Sequence, residues 1–199
     1  MKRFLNVGGG SKRIVVPRHY DGWEHVLLDI DASRAPDVVC DARELGTLAA
    51  ATFDAVYCSH NLEHYWRHDL GRVLAGFLHV LRDDGFAEVA VPDLQLVFED
   101  MARRHLGPDD VLYVSQDGPI TVNDVIYGWG REIESTGQDY YAHKNGFTGG
   151  SLAETLRAAG FPIVFRGAGH FEARALAFKR EPAPEQRALL RLPQSKNAQ

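Results

Sequence analysis

Cysteine is scarce in this chain of 199 residues, which contains only Cys40 and Cys58. The two form no C-x-x-C pair, and two cysteines cannot build the disulfide framework of a small secreted domain. Each lies near the end of a short apolar run, where a free cysteine usually packs as a small hydrophobic side chain. We therefore expect a packing role for both, and neither redox nor nucleophilic chemistry.

Long apolar runs and blocks of basic residues are also missing. No apolar run reaches the roughly 18 residues that a transmembrane helix needs, and the one at the N-terminus is too short for a secretory signal. The formal net charge is −5, which disfavours a surface that coats nucleic acid. We expect a cytoplasmic protein without membrane or nucleic-acid partners, and the sequence leaves its oligomeric state open.

The chain does contain a series of short apolar runs bounded by Gly, Pro or Asp, a pattern typical of buried strands in a mainly parallel sheet. These runs occupy residues 4–7, 25–31, 36–41, 53–58, 85–93, 162–166 and 173–178. The last two are close enough in sequence to form an antiparallel pair. Helical patterns alternate with the runs, so we predict an α/β domain with a doubly wound, mainly parallel, seven-stranded Rossmann-like sheet.

Three segments carry helix signals. Apolar residues recur at helical spacing over residues 69–82, and Asp83-Asp84-Gly85 is expected to end that helix. Asp93 is the predicted N-cap of a helix over residues 94–105. A third helix is predicted over residues 151–159, with Ser151 as N-cap, Glu154 completing a capping box and Gly160 as the stop.

The domain is predicted to span residues 1–180, followed by a tail over 181–199 with one short helix at 187–192. Residues 107–150 break the strand-helix alternation and are too long for an ordinary connection. We interpret them as an insertion that covers the ligand site as a lid.

Small and acidic residues follow successive predicted strands, at the edge of an α/β sheet where ligands bind. Gly8, Gly9 and Gly10 after the first strand allow the backbone to approach a ligand closely. Asp29, about 20 residues later, is placed to accept both hydroxyls of a ribose, and Asp41 follows the third strand. No helix pattern follows Gly10, which disfavours a pyrophosphate at that point and favours a nucleoside without phosphates.

Together these residues resemble a class I S-adenosylmethionine-dependent methyltransferase of the small, type 11-like group. The similar segments are Leu5-Asn-Val-Gly-Gly-Gly10, residues 22–31, Asp37-Val-Val-Cys-Asp41-Ala42, residues 53–64, Leu81-Arg-Asp-Asp-Gly85, Val91-Pro-Asp93 and His143-Lys-Asn-Gly-Phe147. The resemblance covers roughly residues 4–180. It departs from the wider family at Asn6, where an acid is common, at Lys12, where a glycine is expected, and in the missing first helix.

The resemblance implies S-adenosyl-L-methionine as cofactor and a set of contacts to it. The glycines at 8–10 would face the methionine and ribose part, Asp29 would hold the ribose hydroxyls, and Asp41 with the backbone of Ala42 would hold adenine. Ser59 and His60 would lie beside the methionine moiety and the methyl group. Asp31 shares a strand face with Asp29 and is a further candidate contact.

The segment His60-Asn-Leu-Glu63-His64 also matches the H-x-x-E-H pattern of inverted zincins. It follows a predicted strand, whereas the zincin motif lies within a long helix, so a zinc peptidase is disfavoured. We expect no zinc on the His60–His64 pair and no metal in the site. His64 has two open interpretations: a structural histidine at the corner, or an active-site base.

Aromatic side chains are concentrated in the insertion, at Tyr113, Tyr127, Trp129, Tyr140 and Tyr141, together with His143 and Lys144. Aromatic residues with polar ends suit a pocket for a small organic ligand, but they could equally fill a second small core beneath a long loop. Both alternatives stay open.

The sequence therefore predicts methyl transfer from S-adenosylmethionine to a small-molecule acceptor, with His60, His64 and His143 as candidate catalytic bases. One rival function is a non-catalytic S-adenosylmethionine-binding module. A less favoured rival is an NAD-dependent oxidoreductase, because Gly8-Gly9-Gly10 is not the G-x-G-x-x-G motif.

Overall fold

A computed structural model describes residues 1–115 and 118–193 of the chain. The strands in these ranges are β1 (Arg3–Val7), β2 (Glu24–Asp29), β3 (Val38–Val39), β4 (Phe53–Ser59), β5 (Leu81–Pro92), β6 (Val111–Ser115), β7 (Gly118–Thr121), β8 (Ile163–Gly169) and β9 (Glu172–Phe178). The helices are α1 (Leu70–Val80), α2 (Leu94–Arg104), α3 (Val122–Tyr127), α4 (Gly130–Thr136), α5 (Gly149–Ala158) and α6 (Pro184–Leu189).

The central sheet has seven strands in the order β3-β2-β1-β4-β5-β9-β8. The first five are parallel, whereas β9 pairs antiparallel with both β5 and β8. The predicted doubly wound, mainly parallel sheet and its antiparallel finish are therefore confirmed. The strand order reverses between β1 and β4, which places the ligand-binding crevice beyond their carboxyl ends.

Helix α1 packs its predicted apolar stripe against the sheet, and Val73, Leu74 and Phe77 are fully buried. Burying each such side chain contributes roughly 1.5–3 kcal/mol. The helix ends at Val80, before the predicted stop at residues 83–85, because the buried Leu81 already pairs with Phe53 in the sheet. Tertiary burial thus overrides the local stop signal.

Two further helices test the cap predictions. Asp93 caps α2 as predicted, since its Oδ1 accepts a hydrogen bond from the Gln95 amide at 3.0 Å. The predicted cap of α5 at Ser151 with Glu154 is wrong. Thr148 is the N-cap, and it exchanges hydrogen bonds with Ser151 across the first turn, at 3.2 Å and 2.9 Å. A capping box formed one turn earlier satisfies the first amides of the helix.

The insertion at 107–150 is more regular than the sequence suggests, because it folds into the β6–β7 hairpin, α3 and α4. A small second core of Val97, Leu112, Val122 and Val125 holds these elements against α2. Gln116 and Asp117 of this segment lie outside the described residues, as do residues 194–199 of the predicted tail. The tail helix α6 begins three residues before the predicted start at 187.

Between Gly8 and Trp23 the described chain forms a loop with one 3-10 turn at Arg18–Tyr20, as the sequence predicted. Cys58 is buried and Cys40 is half-buried, and neither forms a disulfide. Across residues 1–115 and 118–193, no helix combines the length and the apolar character that crossing a bilayer requires.

Candidate functional site

The loops after β1, β2 and β3 meet at one edge of the sheet and line a cavity of about 590 Å³ with Gly8, Gly10, Asp29 and Asp41. Gly8 has a φ of +67°, and a Cβ at this position would overlap the side chain of Asn61. A side chain here would therefore be both strained and obstructed. The predicted convergence of the strand-end residues is present in the fold.

Asp29 is 8% exposed at the end of β2. Its Oδ2 accepts from the Gly10 amide at 3.0 Å, and its Oδ1 accepts from the Asp31 amide at 2.9 Å. Each carboxylate oxygen has a further lone pair, so the same atoms that fix the glycine loop can still accept ligand hydroxyls. The bonds also hold the carboxylate in one orientation.

Asp31 has a different environment from Asp29. Its Oδ1 accepts from the Ser33 amide at 2.9 Å and its Oδ2 from the hydroxyl of Tyr141 at 3.1 Å. Hydrogen bonds from Ser33 and Tyr141, with the charge of Arg34, lower the pKa of Asp31. The side chain is thus engaged in loop and lid contacts and does not line the cavity.

Asp41 lines the cavity and is paired with Arg43, whose Nη2 lies 2.6 Å from its Oδ2. Although burial opposes ionisation, Arg43 lowers the pKa of Asp41. Ala42, whose backbone was predicted to contact adenine, is buried and is not among the residues that line the cavity. Ser59 lines a second cavity of about 740 Å³ on the other side of Gly8.

His60 lies where these two cavities meet, in a left-handed backbone conformation with φ of +50°. Its Nε2 donates to Glu172 Oε1 at 2.8 Å. Desolvation in the cleft opposes a charged ring, but Glu172 and Glu63 together raise the pKa of His60 to about 10. The ring is therefore protonated near neutral pH, which suits a positioning cation and not a proton acceptor.

Glu63 lies behind His60 and is 1% exposed. Its Oε1 lies 3.6 Å from His60 Nδ1 and 3.9 Å from His143 Nε2. Within the described ranges, neither carboxylate oxygen has a hydrogen-bond partner. Burial would raise the pKa of Glu63, but His60, His64 and His143 nearby lower it. The result is a buried anion without the hydrogen bonds that such a group normally has.

His64 and His143 stack edge to face with ring centroids 4.8 Å apart, and both line the first cavity. Nδ1 of His64 lies 3.1 Å from the carbonyl of Ala142, and Nδ1 of His143 lies 2.9 Å from the carbonyl of Val125. Because a carbonyl only accepts, each Nδ1 carries a proton, and in the neutral ring Nε2 is then the nitrogen with the lone pair. Burial lowers the pKa of His143, which favours its neutral form.

The lid (residues 107–150) separates its aromatic side chains into two groups. Trp129, Tyr140 and Tyr141 line the first cavity with Lys144, whereas Tyr113 packs on Phe171 beside the second core. Tyr127 is 66% exposed. The position of Trp129, Tyr140 and Tyr141 is compatible with the pocket interpretation, and Tyr113 fits the interpretation as a second small core.

Four residues of the site had no role assigned from the sequence. Arg34 contacts the lid through Glu132 at 2.6 Å, and Asn61 abuts the glycine loop. Glu63 belongs to the H-x-x-E-H segment, which was a visible signal. Glu172 comes from β9, and no sequence pattern connects it with His60.

Residues 5–89 match the model of the Methyltransferase domain family. This range contains the glycine loop, Asp29, Asp41 and the corner at His60–His64. No curated protein matches the sequence significantly. The match agrees with the strand order and with the cavity at the switch point. Over residues 5–89 the chain is similar to the class I S-adenosylmethionine-dependent methyltransferases, and it shares their fold.

Solved structures share the fold of this methyltransferase at low sequence identity. A 1,6-didemethyltoxoflavin N1-methyltransferase from Burkholderia thailandensis, with bound 1,6-didemethyltoxoflavin and S-adenosylhomocysteine, is 21% identical with a TM-score of 0.54. The alignment covers 90% of this chain and 71% of that one. That structure and the structure of PigF, which is 12% identical with a TM-score of 0.55, both contain S-adenosylhomocysteine, the demethylated form of S-adenosyl-L-methionine.

Two further solved structures are similar to this chain over most of their own length. A methyltransferase from Archaeoglobus fulgidus is 15% identical with a TM-score of 0.55, over 88% of this chain and 85% of that one. A possible histamine N-methyltransferase from Thermotoga maritima is 16% identical with a TM-score of 0.51, over 90% and 83%.

Proposed function

We propose that this methyltransferase transfers the methyl group of S-adenosylmethionine to a small-molecule acceptor bound beneath the lid. The supporting observation is the first cavity, whose floor is formed by strand-end loops and whose roof is formed by Trp129, Tyr140 and Tyr141. Its volume of about 590 Å³ falls in the range of roughly 300–1,000 Å³ that small-ligand sites occupy. Aromatic walls with a few polar groups are typical of such sites.

The cofactor end of the site is assigned from the strand-end residues. Asp29 would accept the ribose hydroxyls, and Asp41 with the backbone of Ala42 would contact adenine. Gly8 to Gly10 would pass close to the methionine and ribose part, with Ser59 and His60 beside the methionine moiety. Asp31 is committed to the lid, so we assign it no direct contact with the cofactor.

The acceptor end is assigned to His64 and His143, because both rings line the first cavity and both use Nδ1 for a hydrogen bond to a carbonyl, which leaves Nε2 free. The sulfonium is already an activated donor, so the protein mainly has to align the acceptor with the methyl group. A hydroxyl or amine acceptor must also lose a proton, and the Nε2 atoms are the groups placed to assist. His60 is protonated near neutrality and would position, not deprotonate.

Transfer from S-adenosylmethionine with an isotope-labelled methyl group tests this function. A cell extract is separated by size into small molecules, protein and nucleic acid, and each fraction is incubated with the chain. We expect enzyme-dependent label in the small-molecule fraction, and none with Gly8→Ala. Label confined to a macromolecular fraction would contradict a small-molecule acceptor. Binding of S-adenosylhomocysteine without label in any fraction would indicate a non-catalytic binding module instead.

A further inference from the structure

Three donor groups converge at the corner that follows β4. Glu63, His64 and His143 each offer one ligand atom, and these atoms lie within 4.8 Å of one another. Oε1 of Glu63 and Nε2 of His143 lie 3.9 Å apart. The two histidines come from different elements, the turn at Leu62–His64 and the end of the lid, so the cluster exists only in the folded chain.

The carboxylate of Glu63 is the group that most needs a partner. It is 1% exposed, and no hydrogen bond from residues 1–115 or 118–193 reaches either oxygen. Leaving a buried polar group unsatisfied costs roughly 1–3 kcal/mol, and more when it is charged. Buried charges in proteins are normally paired or coordinate a metal ion.

The two rings are oriented as metal-binding histidines are. Each donates its Nδ1 proton to a backbone carbonyl, Ala142 for His64 and Val125 for His143. Such a hydrogen bond fixes the tautomer and turns the Nε2 lone pair toward the metal in known sites. The backbone also holds the lid end in place, since the amides of Lys144 and Asn145 both donate to the Glu63 carbonyl, at 2.8 Å and 3.1 Å.

His60 is the alternative counter-charge for Glu63, but its geometry does not satisfy the carboxylate. Its Nδ1 lies 3.6 Å from Oε1, which is too long for a hydrogen bond. Its Nε2 is already bonded to Glu172 at 2.8 Å. The positive charge of His60 therefore offsets part of the negative charge of Glu63, but both oxygens of Glu63 still have no hydrogen-bond partner among the described residues.

We propose that Glu63, His64 and His143 form a binding site for one divalent transition-metal cation. Two imidazoles and one carboxylate are a donor set for Zn²⁺ with an open coordination position, and imidazole ligands favour Zn²⁺ or Co²⁺ over Mg²⁺. Donor atoms on one Zn²⁺ lie roughly 3–3.5 Å apart, given bonds of about 2.0–2.2 Å. The three donor atoms, which lie within 4.8 Å of one another, would therefore have to approach by ~1 Å to bind one ion.

The proposed site differs from the one that the H-x-x-E-H pattern suggested. The sequence argument against zinc concerned the His60–His64 pair, for which the spacing supplied no third ligand. Folding supplies His143 as that ligand and turns His60 toward Glu172. His60 is thus outside the donor set. The proposal replaces the expectation of no metal in the site and keeps the narrower expectation that the His60–His64 pair does not hold zinc.

The role of the ion rests on the proposed function, and it would replace the base role of His64 and His143, because an Nε2 bound to metal has no lone pair left to accept a proton. His64 and His143 line the first cavity, so an open coordination position would face an acceptor there. A bound cation lowers the pKa of a coordinated hydroxyl, so an acceptor hydroxyl would lose its proton to solvent. Its oxygen would then bond to the methyl carbon while the C–S electron pair returns to sulfur, releasing S-adenosylhomocysteine. The substrate class is accordingly an oxygen acceptor.

Metal titration of the full-length, tag-free chain tests the site without any methyl transfer. After chelator treatment, Zn²⁺ is titrated by calorimetry and Co²⁺ by its visible absorption. We expect one ion per chain and much weaker binding of Mg²⁺. Glu63→Gln and His143→Gln should each weaken Zn²⁺ binding at least about 100-fold, since loss of an outer-shell partner alone costs about 10–100-fold.

Control variants separate this site from other histidines. His68→Gln, at an 80% exposed side chain, and His60→Gln should both retain the ion. No saturable binding, or binding unchanged in Glu63→Gln and His143→Gln, would overturn the proposal. Thermal stabilisation by S-adenosylhomocysteine is measured on every variant in the absence of metal. This stabilisation shows that the variant is folded and that it binds the cofactor product. Metal binding without that stabilisation would refute the proposed function and leave the metal site standing.

Discussion

The hydroxyl of Tyr141 donates a hydrogen bond to Oδ2 of Asp31 at 3.1 Å and so joins the lid to the loop after β2. Arg34 reinforces the contact, because its Nη2 donates to the Tyr141 hydroxyl at 3.1 Å and to Glu132 Oε1 at 2.6 Å. Asp29 lies two residues before Asp31 on the same loop. The position of the lid is thereby linked to the loop that carries the candidate ribose acid.

Tyr141→Phe should loosen the lid without unfolding the domain. The change removes one hydroxyl that both donates and accepts, and a hydrogen bond to a charged group contributes about 1.5–3 kcal/mol. Hydrogen exchange of the amides in residues 128–142 should therefore become faster, while the amides of β4 and β5 keep their protection. Tyr127→Phe, at a side chain that is 66% exposed, is the control. Equal exchange in the two variants would show that the contact does not hold the lid.

Asp29→Ala and Asp31→Ala should affect cofactor binding differently. Asp29 is turned toward the cavity and the Gly10 amide, whereas Asp31 is turned toward Ser33 and Tyr141. Loss of hydrogen bonds to a charged acceptor costs about 1.5–3 kcal/mol, or roughly 10- to 150-fold in affinity. Calorimetry should show a loss of this size for S-adenosylhomocysteine with Asp29→Ala and a few-fold change with Asp31→Ala. Equal losses would refute the assignment.

Gly8→Ala should destabilise the chain more than Gly22→Ala. Both glycines have positive φ, +67° and +79°, which costs an alanine roughly 1–2 kcal/mol. A Cβ at Gly22 meets no atom within 4 Å, whereas a Cβ at Gly8 overlaps Asn61. Chemical denaturation should therefore show the extra cost at Gly8 alone, together with lost S-adenosylhomocysteine binding. Indistinguishable denaturation curves would mean that the glycine loop can move away from Asn61.

The His60–Glu172 ion pair should make stability depend on pH. Although desolvation opposes protonation, Glu172 and Glu63 raise the pKa of His60 to about 10. The contribution of the protonated ring to the free energy of unfolding is complete below about pH 6.5 and is lost as the pH rises to about 10. The hydrogen bond from His60 lowers the pKa of Glu172 to about 2. The contribution of the Glu172 carboxylate to the free energy of unfolding is complete above about pH 4.5 and is lost as the pH falls to about 2.

Glu172→Gln therefore provides the measurement. The stability difference from the unmodified chain should be largest between about pH 4.5 and 6.5 and should narrow toward both extremes. Solvent reaches His60, whose side chain is 45% exposed, so we expect a difference of about 1 kcal/mol. Glu185→Gln, in the surface helix α6, serves as control. A difference that stays constant from pH 4.5 to 10 would show that the pair is not coupled to folding.

The sequence predicted those parts of the site that depend on local pattern. Short apolar runs followed by Gly8, Asp29 and Asp41 located the strand ends, and parallel strands in a sheet bring such ends together. The stripe of α1 and the cap at Asp93 followed from spacing alone. The errors at α1 and α5 concern helix ends, where burial of Leu81 and the competing cap at Thr148 decided the outcome.

Contacts between distant segments had no comparable signal. Glu172 reaches His60 from β9, and Tyr141 reaches Asp31 from the lid, through side-chain geometry that no periodicity records. The divided roles of Asp29 and Asp31 also depend on the direction of the loop after β2. The lone pairs of His64 and His143 became assignable only when the carbonyls opposite their Nδ1 atoms were known.

Near its C-terminal end the lid is attached to the rest of the domain in two unlike ways. Backbone bonds from Lys144 and Asn145 to the Glu63 carbonyl fix one end beside β4. A few residues earlier, the contacts with the loop after β2 that the described residues make are side-chain contacts, of Tyr141 with Asp31 and Arg34 and of Glu132 with Arg34. We expect this segment to move more readily where side chains alone hold it, so acceptor and product would pass on the β2–β3 side. If Asp29 holds the ribose as proposed, the acceptor and the cofactor would use the same opening in succession.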